Sequence, residues 1–221
     1  MHEPMITAAH LASLCTLYTP LVSDTLDRLG IPAAVMRHDV QSMIADPAVK
    51  ACGPAFPCRV VPTHEYVEID TLLAMVDAIP QGAMVIVAAD DDINAALWGG
   101  LMSTRAAARG AVGAVVNGGV RDLEQIAELA FPVFGTYRCV TDIRRRGFMH
   151  SYNVPVTCAG VAVWPGDIVF GDANGVVVIP RDRFDDVFAE LARAAEEERA
   201  TMRGLQKGAG AAQIFAKFGR F

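Results

Sequence analysis

Apolar residues recur at helical spacing along the first thirty positions. Leu11, Leu14, Tyr18, Val22, Leu26 and Leu29 fall three or four apart, the spacing that lines one face of a helix. Pro20 restarts that helix and Gly30-Ile31-Pro32 ends it, because proline suits a first turn and glycine a last one. Residues 39–54 have weak periodicity and read as loop or short strand. Cys58–Pro62 and Met84–Ala88 are short apolar runs and predict strands, with a helix over Asp70–Ala78 that stops at Pro80-Gln81-Gly82. The acidic run Asp90-Asp91-Asp92 reads as a solvated turn.

The centre of the chain alternates glycine-rich and apolar stretches. Gly99-Gly100-Leu101-Met102-Ser103 reads as a glycine loop, followed by a helix over Ser103–Arg109 and a buried strand at Ala114-Val115-Val116. Gly118-Gly119 then predicts a tight backbone turn, and Arg121-Asp122 opens a short helix ending near Phe131-Pro132. Pro132–Phe134 is a further strand candidate. Thr141–His150, polar and carrying Gly147, reads as a loop. Val154–Pro180 is rich in β-branched residues and is broken by Trp164-Pro165-Gly166-Asp167 and Gly171-Asp172-Ala173-Asn174-Gly175, which predicts antiparallel hairpins. A long helix from Asp182, placed as its cap, to about Gln206 precedes an aromatic tail with Phe215, Phe218 and Phe221. The helix and tail, about 182–221, are expected to pack on a neighbouring subunit. Because the last third is all strand before its final helix, the pattern predicts a layered α/β fold with a mixed sheet or small barrel rather than a doubly wound one.

Composition narrows the function. The 221 residues suit one domain, 1–221, with a real core. Net charge is −6, and Arg144-Arg145-Arg146, the only basic run, reads as a solvated or interface loop. Nucleic acid is therefore not an expected partner. No apolar run approaches the ~20 residues of a membrane span, and the N-terminus lacks the pattern of a secretory leader. The five cysteines are scattered without a Cys-x-x-Cys pair, which predicts reduced thiols and a cytoplasmic protein. The histidines form no zinc-binding spacing. Neither a Gly-x-Gly-x-x-Gly helix start nor a phosphate-binding Gly-Lys-Ser/Thr loop is present, so nucleotide cofactors are unsupported. Arg121-Asp122 sets a cation beside an anion where a strand ends, a place suited to holding a small anionic substrate and a metal ion together.

Several motifs in order resemble the family of 4-hydroxy-4-methyl-2-oxoglutarate aldolases and regulators of ribonuclease E activity. They are Ser23-Asp24-x-Leu26-x-x-Leu29-Gly30, Gly99-x-Leu101-x-Ser103, Ala107-x-x-Gly110-x-x-Gly113-x-Val115-x-x-Gly118-x-x-Arg121-Asp122, Asn153-x-Pro155-Val156 and Gly171-Asp172-x-x-Gly175. The resemblance implies a β/β/α swivelling-domain fold with a C-terminal helical extension. It implies a metal-dependent lyase that releases pyruvate from a 4-hydroxy-2-oxo diacid by retro-aldol cleavage, with oxaloacetate decarboxylation as a side activity. Mg²⁺ or Mn²⁺ would be bound by Asp122. Arg121 and the backbone N–H groups of Leu101 and Met102, with Gly99, Gly100 and Asn117 beside them, would bind the 2-oxo acid. A glutamate of a neighbouring subunit's last helix, Glu197 rather than Glu196 or Glu198, would orient a water, and the assembly would be a trimer or a dimer of trimers. The alternatives are a non-catalytic regulator binding ribonuclease E, or a member acting on another oxo or hydroxy acid. Two positions depart from the family pattern: Gly100, where many members carry an acid, and Asn117, where aspartate is frequent.

Overall fold

The computed structural model describes residues 6–32, 34–89 and 93–218, the side chains of residues 217 and 218 excepted. The predicted turn at Asp90-Asp91-Asp92, the Phe218 ring and Phe221 lie outside the described residues. The N-terminal helical pattern resolves into α1 (Ala8–Leu14) and α2 (Thr19–Arg28), with Pro20 in the first turn of α2. A capping box at Thr7 and His10 starts α1. The start of α2 is satisfied from far along the chain: buried Asp172 accepts from the Thr19 N–H at 2.8 Å and from its hydroxyl at 2.7 Å.

Among the described residues nine strands form one mixed sheet. They are β1 (Gln41–Ser42), β2 (Ala51–Pro62), β3 (Met84–Ala89), β4 (Ala96–Trp98), β5 (Gly113–Val120), β6 (Val133–Arg138), β7 (Gly147–Tyr152), β10 (Ile168–Asp172) and β11 (Gly175–Ile179). β8 (Val156–Cys158) and β9 (Val161–Val163) pair separately as an antiparallel hairpin. The main path runs β1-β6-β5-β3-β2-β10-β11, with β4 beside β5 and β7 beside β2. Its centre is parallel and its flanks are antiparallel. Just before β1, Val35 bridges Val177 and the Met36 N–H donates to the Val176 carbonyl at 3.0 Å. That link draws the two ends of the sheet together into a near-barrel.

Alternation along the strands sorts the core. Met84, Ile86, Val115 and Phe134 face the inside of the near-barrel. Val85, Val87 and Val116 face outward, onto α3 (Asp70–Ala78), α4 (Gly100–Ala108) and α5 (Leu123–Glu128). On the far side, α1, α2 and the long α6 (Phe184–Gln206) cover β10 and β11. α7 (Ala211–Phe218) follows. All five cysteines are free, three of them buried, and burial pushes the Cys158 thiol up to about 12.

Several expectations need correction. β2 begins at Ala51, not Cys58, and runs through Pro54 and Pro57. Pro57 is tolerated there because β2 changes partners along its length. It pairs with β10 over Ala51–Pro54 and with β7 only from Cys58, so Pro57 falls in the gap. Gly118-Gly119 is strand rather than turn. A Cβ on Gly118 would collide with the Leu97 side chain, and one on Gly119 would lie 2.6 Å from the Ala95 carbonyl. Packing, not a turn, excludes side chains there. The polar segment Thr141–His150 ends in strand, since β7 starts at Gly147. Asp182 is not a cap: it sits in a 3-10 turn over Arg181–Arg183, and α6 starts after Arg183 without a side-chain cap. β4 carried no expectation.

Candidate active site

α4 starts three residues earlier than its apolar pattern implies, at Gly100, with Gly99 as an extended N-cap residue. The first-turn N–H groups of Leu101 and Met102 thus lie at the open N-terminal end of a helix, where backbone donors and the helix dipole favour an anion. β5 delivers Arg121 and Asp122 to the same spot. Asp122 adopts a left-handed backbone conformation (φ 58°, ψ 41°), uncommon for a residue with a side chain. Its Oδ2 accepts the Gly100 N–H at 3.0 Å. A Cβ on Gly99 would come within 2.6 Å of that oxygen, so glycine is required for the close approach. Among the described residues Oδ1 of Asp122 accepts no hydrogen bond.

Arg121 is held from two sides. Its Nε lies 3.6 Å from Asp122 Oδ2, and its Nη1 donates to Asp142 Oδ2 at 3.2 Å. Asp142 in turn accepts the Arg144 N–H at 2.8 Å. That backbone donor, and after it the Arg121 guanidinium, hold the Asp142 carboxyl below its ordinary value against the opposing effect of partial burial. Sequence reasoning missed Asp142, because its segment reads as a polar loop and nothing local ties it to Arg121, 21 residues earlier.

These groups stand at the edge of a cavity of about 430 Å³. Gly99, Leu101, Met102, Arg121, Asp122, Asp142 and Arg144 line it, so the first glycine loop and the Arg121-Asp122 pair meet at one cavity and Arg144 of the basic run belongs to its wall. α3 supplies the opposite wall with Leu72, Leu73, Val76 and Asp77. Gly100 does not line the cavity. A Cβ there would collide with the amide of Gln125, which fills from α5 the space where the resemblance expects an acid.

Two expected residues are not brought together with this group. Asn117 donates to the Ala89 carbonyl at 2.9 Å and accepts from Arg37 at 3.0 Å. It lines a separate cavity of about 370 Å³ with Arg37, Asp39, Thr136 and Tyr137. Glu197 sits on α6 within 3.7 Å of Arg28 and 3.8 Å of Arg193. Neither it nor Glu196 or Glu198 lines the cavity of its own chain.

The donor set fits a hard divalent cation held by few protein ligands. Mg²⁺ is typically held by one or two carboxylates with several waters. Asp122, with one oxygen committed to the Gly100 N–H, meets that description.

The sequence profile of the RraA-like family, Aldolase/RraA, matches residues 19–178. The chain is 31% identical over 182 residues to protein DlpA of Legionella pneumophila subsp. pneumophila, covering 80% of this chain but only 29% of DlpA. It is 28% identical over 191 residues to a Halalkalibacterium halodurans protein named "Putative 4-hydroxy-4-methyl-2-oxoglutarate aldolase", covering 86% of this chain and 85% of that one. Among solved structures it is similar to Streptomyces coelicolor RraAS2, described as an unusual member of the RNase ES inhibitor RraA protein family. The TM-score is 0.79 at 24% identity, covering 90% of this chain and 98% of that one. At that identity the likeness is one of fold.

Proposed function

The chain belongs to the RraA-like family, Aldolase/RraA, and on that premise we propose that it is a divalent-metal-dependent carbon–carbon lyase acting on a 2-oxo acid. One observation carries the reading: Asp122, Arg121 and the first turn of α4 converge at the edge of one cavity. The reaction is retro-aldol cleavage of a 4-hydroxy-2-oxo acid to pyruvate and a second carbonyl compound. The diacid in the name of the Halalkalibacterium relative is its reference substrate.

Each group has a task that its chemistry suits. The Arg121 fork matches a carboxylate through two parallel hydrogen bonds, and the Leu101 and Met102 N–H groups reinforce the same anion. Asp142 and Asp122 keep the guanidinium plane in place from either side. Asp122 would hold Mg²⁺ or Mn²⁺, which when bound supplies positive charge where the 2-oxo group gains electron density. The C4 hydroxyl gives up its proton, the C3–C4 pair moves toward C2, C4 becomes a carbonyl, and C3 takes up a proton to give pyruvate. In this reading the proton leaves through a water oriented by Glu197 of a neighbouring copy, in a trimer or dimer of trimers, since the α6 glutamates do not line the cavity of their own chain.

The rival reading is a binding protein that regulates an endoribonuclease, favoured by the likeness in fold to RraAS2. A coupled assay for pyruvate release from oxaloacetate, with and without Mg²⁺ or Mn²⁺, separates the two. Metal-dependent release that is lost in Asp122→Ala is expected of the lyase. No release under either metal refutes it.

A further inference from the structure

The cavity is much larger than its polar end requires. About 430 Å³ falls among sites that hold drug-sized ligands, roughly 300–1,000 Å³, and exceeds what a three-carbon oxo acid fills. Away from the cluster of Arg121, Asp122, Asp142 and Arg144 the lining is mostly apolar, with Glu68 and the Arg105–Asp77 pair as its charged groups. Val60, Trp98 and Met149 form a buried floor, and Leu72, Leu73 and Phe148 stand beside it.

The charges in the lining are already spent on one another. Arg105 is paired with Asp77 at 2.7 Å, Arg121 with Asp142 at 3.2 Å, and Arg144 with Asp142 at 3.8 Å. The lining holds three guanidiniums (Arg105, Arg121, Arg144) against four carboxylates (Glu68, Asp77, Asp122, Asp142). Arg121 serves the substrate's first carboxylate. Away from the polar end the charged lining is Glu68, Asp77 and Arg105, one more carboxylate than guanidinium, so a second carboxylate there would meet like charge and find Arg105 already paired with Asp77.

We propose that the substrate is a monocarboxylic 4-hydroxy-2-oxo acid whose C4 carries an apolar group, a branched alkyl or an aryl, so that cleavage yields pyruvate and an apolar aldehyde or ketone. This rests on the lyase reading and departs from the diacid in the relative's name. Trp98, Phe148 and Met149 suit such a group, since aromatic faces and a thioether pack well on a planar or branched apolar body. Leu73, half-exposed on α3, is the specificity residue best open to change.

Calorimetry with two probes that lack the 4-hydroxyl, and so cannot be cleaved, tests this on the full chain in Mg²⁺. 2-Oxo-4-phenylbutanoate is expected to bind at least about tenfold more tightly than 2-oxoglutarate, the order of discrimination an apolar pocket supplies. In Leu73→Arg that ratio is expected to fall by about tenfold or more. Leu73→Gln, a milder change at a half-exposed position, is expected to lower it less, and it takes over the test if the arginine variant unfolds. Equal or tighter binding of 2-oxoglutarate, or an unchanged ratio in both variants, overturns the proposal, as does failure of both probes to bind. The lyase reading survives any of these if oxaloacetate still releases pyruvate in a metal-dependent way. If oxaloacetate, whose second carboxylate is C4 itself and so lies at the reacting position rather than in the far space, gives none, both fall.

Discussion

Arg121 works as an oriented fork only because two carboxylates hold it. An ammonium cannot form the paired hydrogen bonds, so Arg121→Lys is expected to lower kcat/KM for pyruvate release by about a hundredfold, a cost of about 3 kcal/mol in transition-state stabilisation. A kcat/KM within a few-fold of wild type removes Arg121 from the site. Asp142 belongs to the same unit. Its folded-state pKa is depressed, first by the Arg144 N–H and then by Arg121. The contribution of this contact is therefore present above the unfolded aspartate value and is lost as pH falls through the lower folded value. A carbon-detected NMR titration of Asp142 is expected to show a midpoint below ~3.9, the ordinary aspartate value. A midpoint at or above it contradicts the geometry. Asp142 then stays ionised through the neutral range and adds no acid limb there.

At the scale of elements, Asp172 ties two distant segments together. Its carboxylate accepts the Thr19 N–H and hydroxyl at the start of α2, and also the Asn174 N–H at 2.8 Å and side-chain amide at 3.1 Å inside the β10–β11 turn. The turn signal Gly171–Gly175 was legible in the sequence, but the helix that its aspartate caps lies 153 residues away. Buried donors left without an acceptor are costly, so Asp172→Ala is expected to lose about 2–4 kcal/mol. Urea unfolding should show a lower midpoint at an unchanged slope. A loss under about 0.5 kcal/mol would place Asp172 among neutral surface positions. α4 teaches a related lesson. Apolar periodicity starts it near Ser103, whereas hydrogen bonding starts it at Gly100. Those three residues decide whether the Leu101 and Met102 amides belong to a loop or to the end of a helix.

At the scale of the molecule, the near-barrel carries its cavity on one side and α6 on another. If a neighbour's α6 completes the site, assembly and activity are linked. Light scattering is expected to report a trimer or a dimer of trimers. Asp122→Ala and Glu197→Ala proteins, each inactive alone, should recover part of the activity when refolded together, because some interfaces then pair two intact residues. A monomer at micromolar concentration, or no recovery despite confirmed mixing, places the site within one chain.

The sequence by itself determined what neighbours along the chain decide. The limits of α3, the β10–β11 hairpin at Gly171–Gly175 and the adjacency of Arg121 and Asp122 all follow from apolar spacing, turn residues and plain succession. The expected hairpin turn at Trp164–Asp167 instead joins β9 to β10 of different sheets, and the β8–β9 hairpin turns at Ala159-Gly160. Tertiary structure alone decided what depends on sheet register. Asn117 lies two residues beyond Val115, on the strand face that turns into the near-barrel, so it meets Arg37 and Ala89 instead of the cavity. Gly118-Gly119 read as a turn because glycine permits one, yet Leu97 and the Ala95 carbonyl press on them and make them strand. Asp142 reaches Arg121 across 21 residues, and α3 closes the far wall of the cavity. Such contacts join surfaces brought close by the folded sheet, and local propensity holds no record of them.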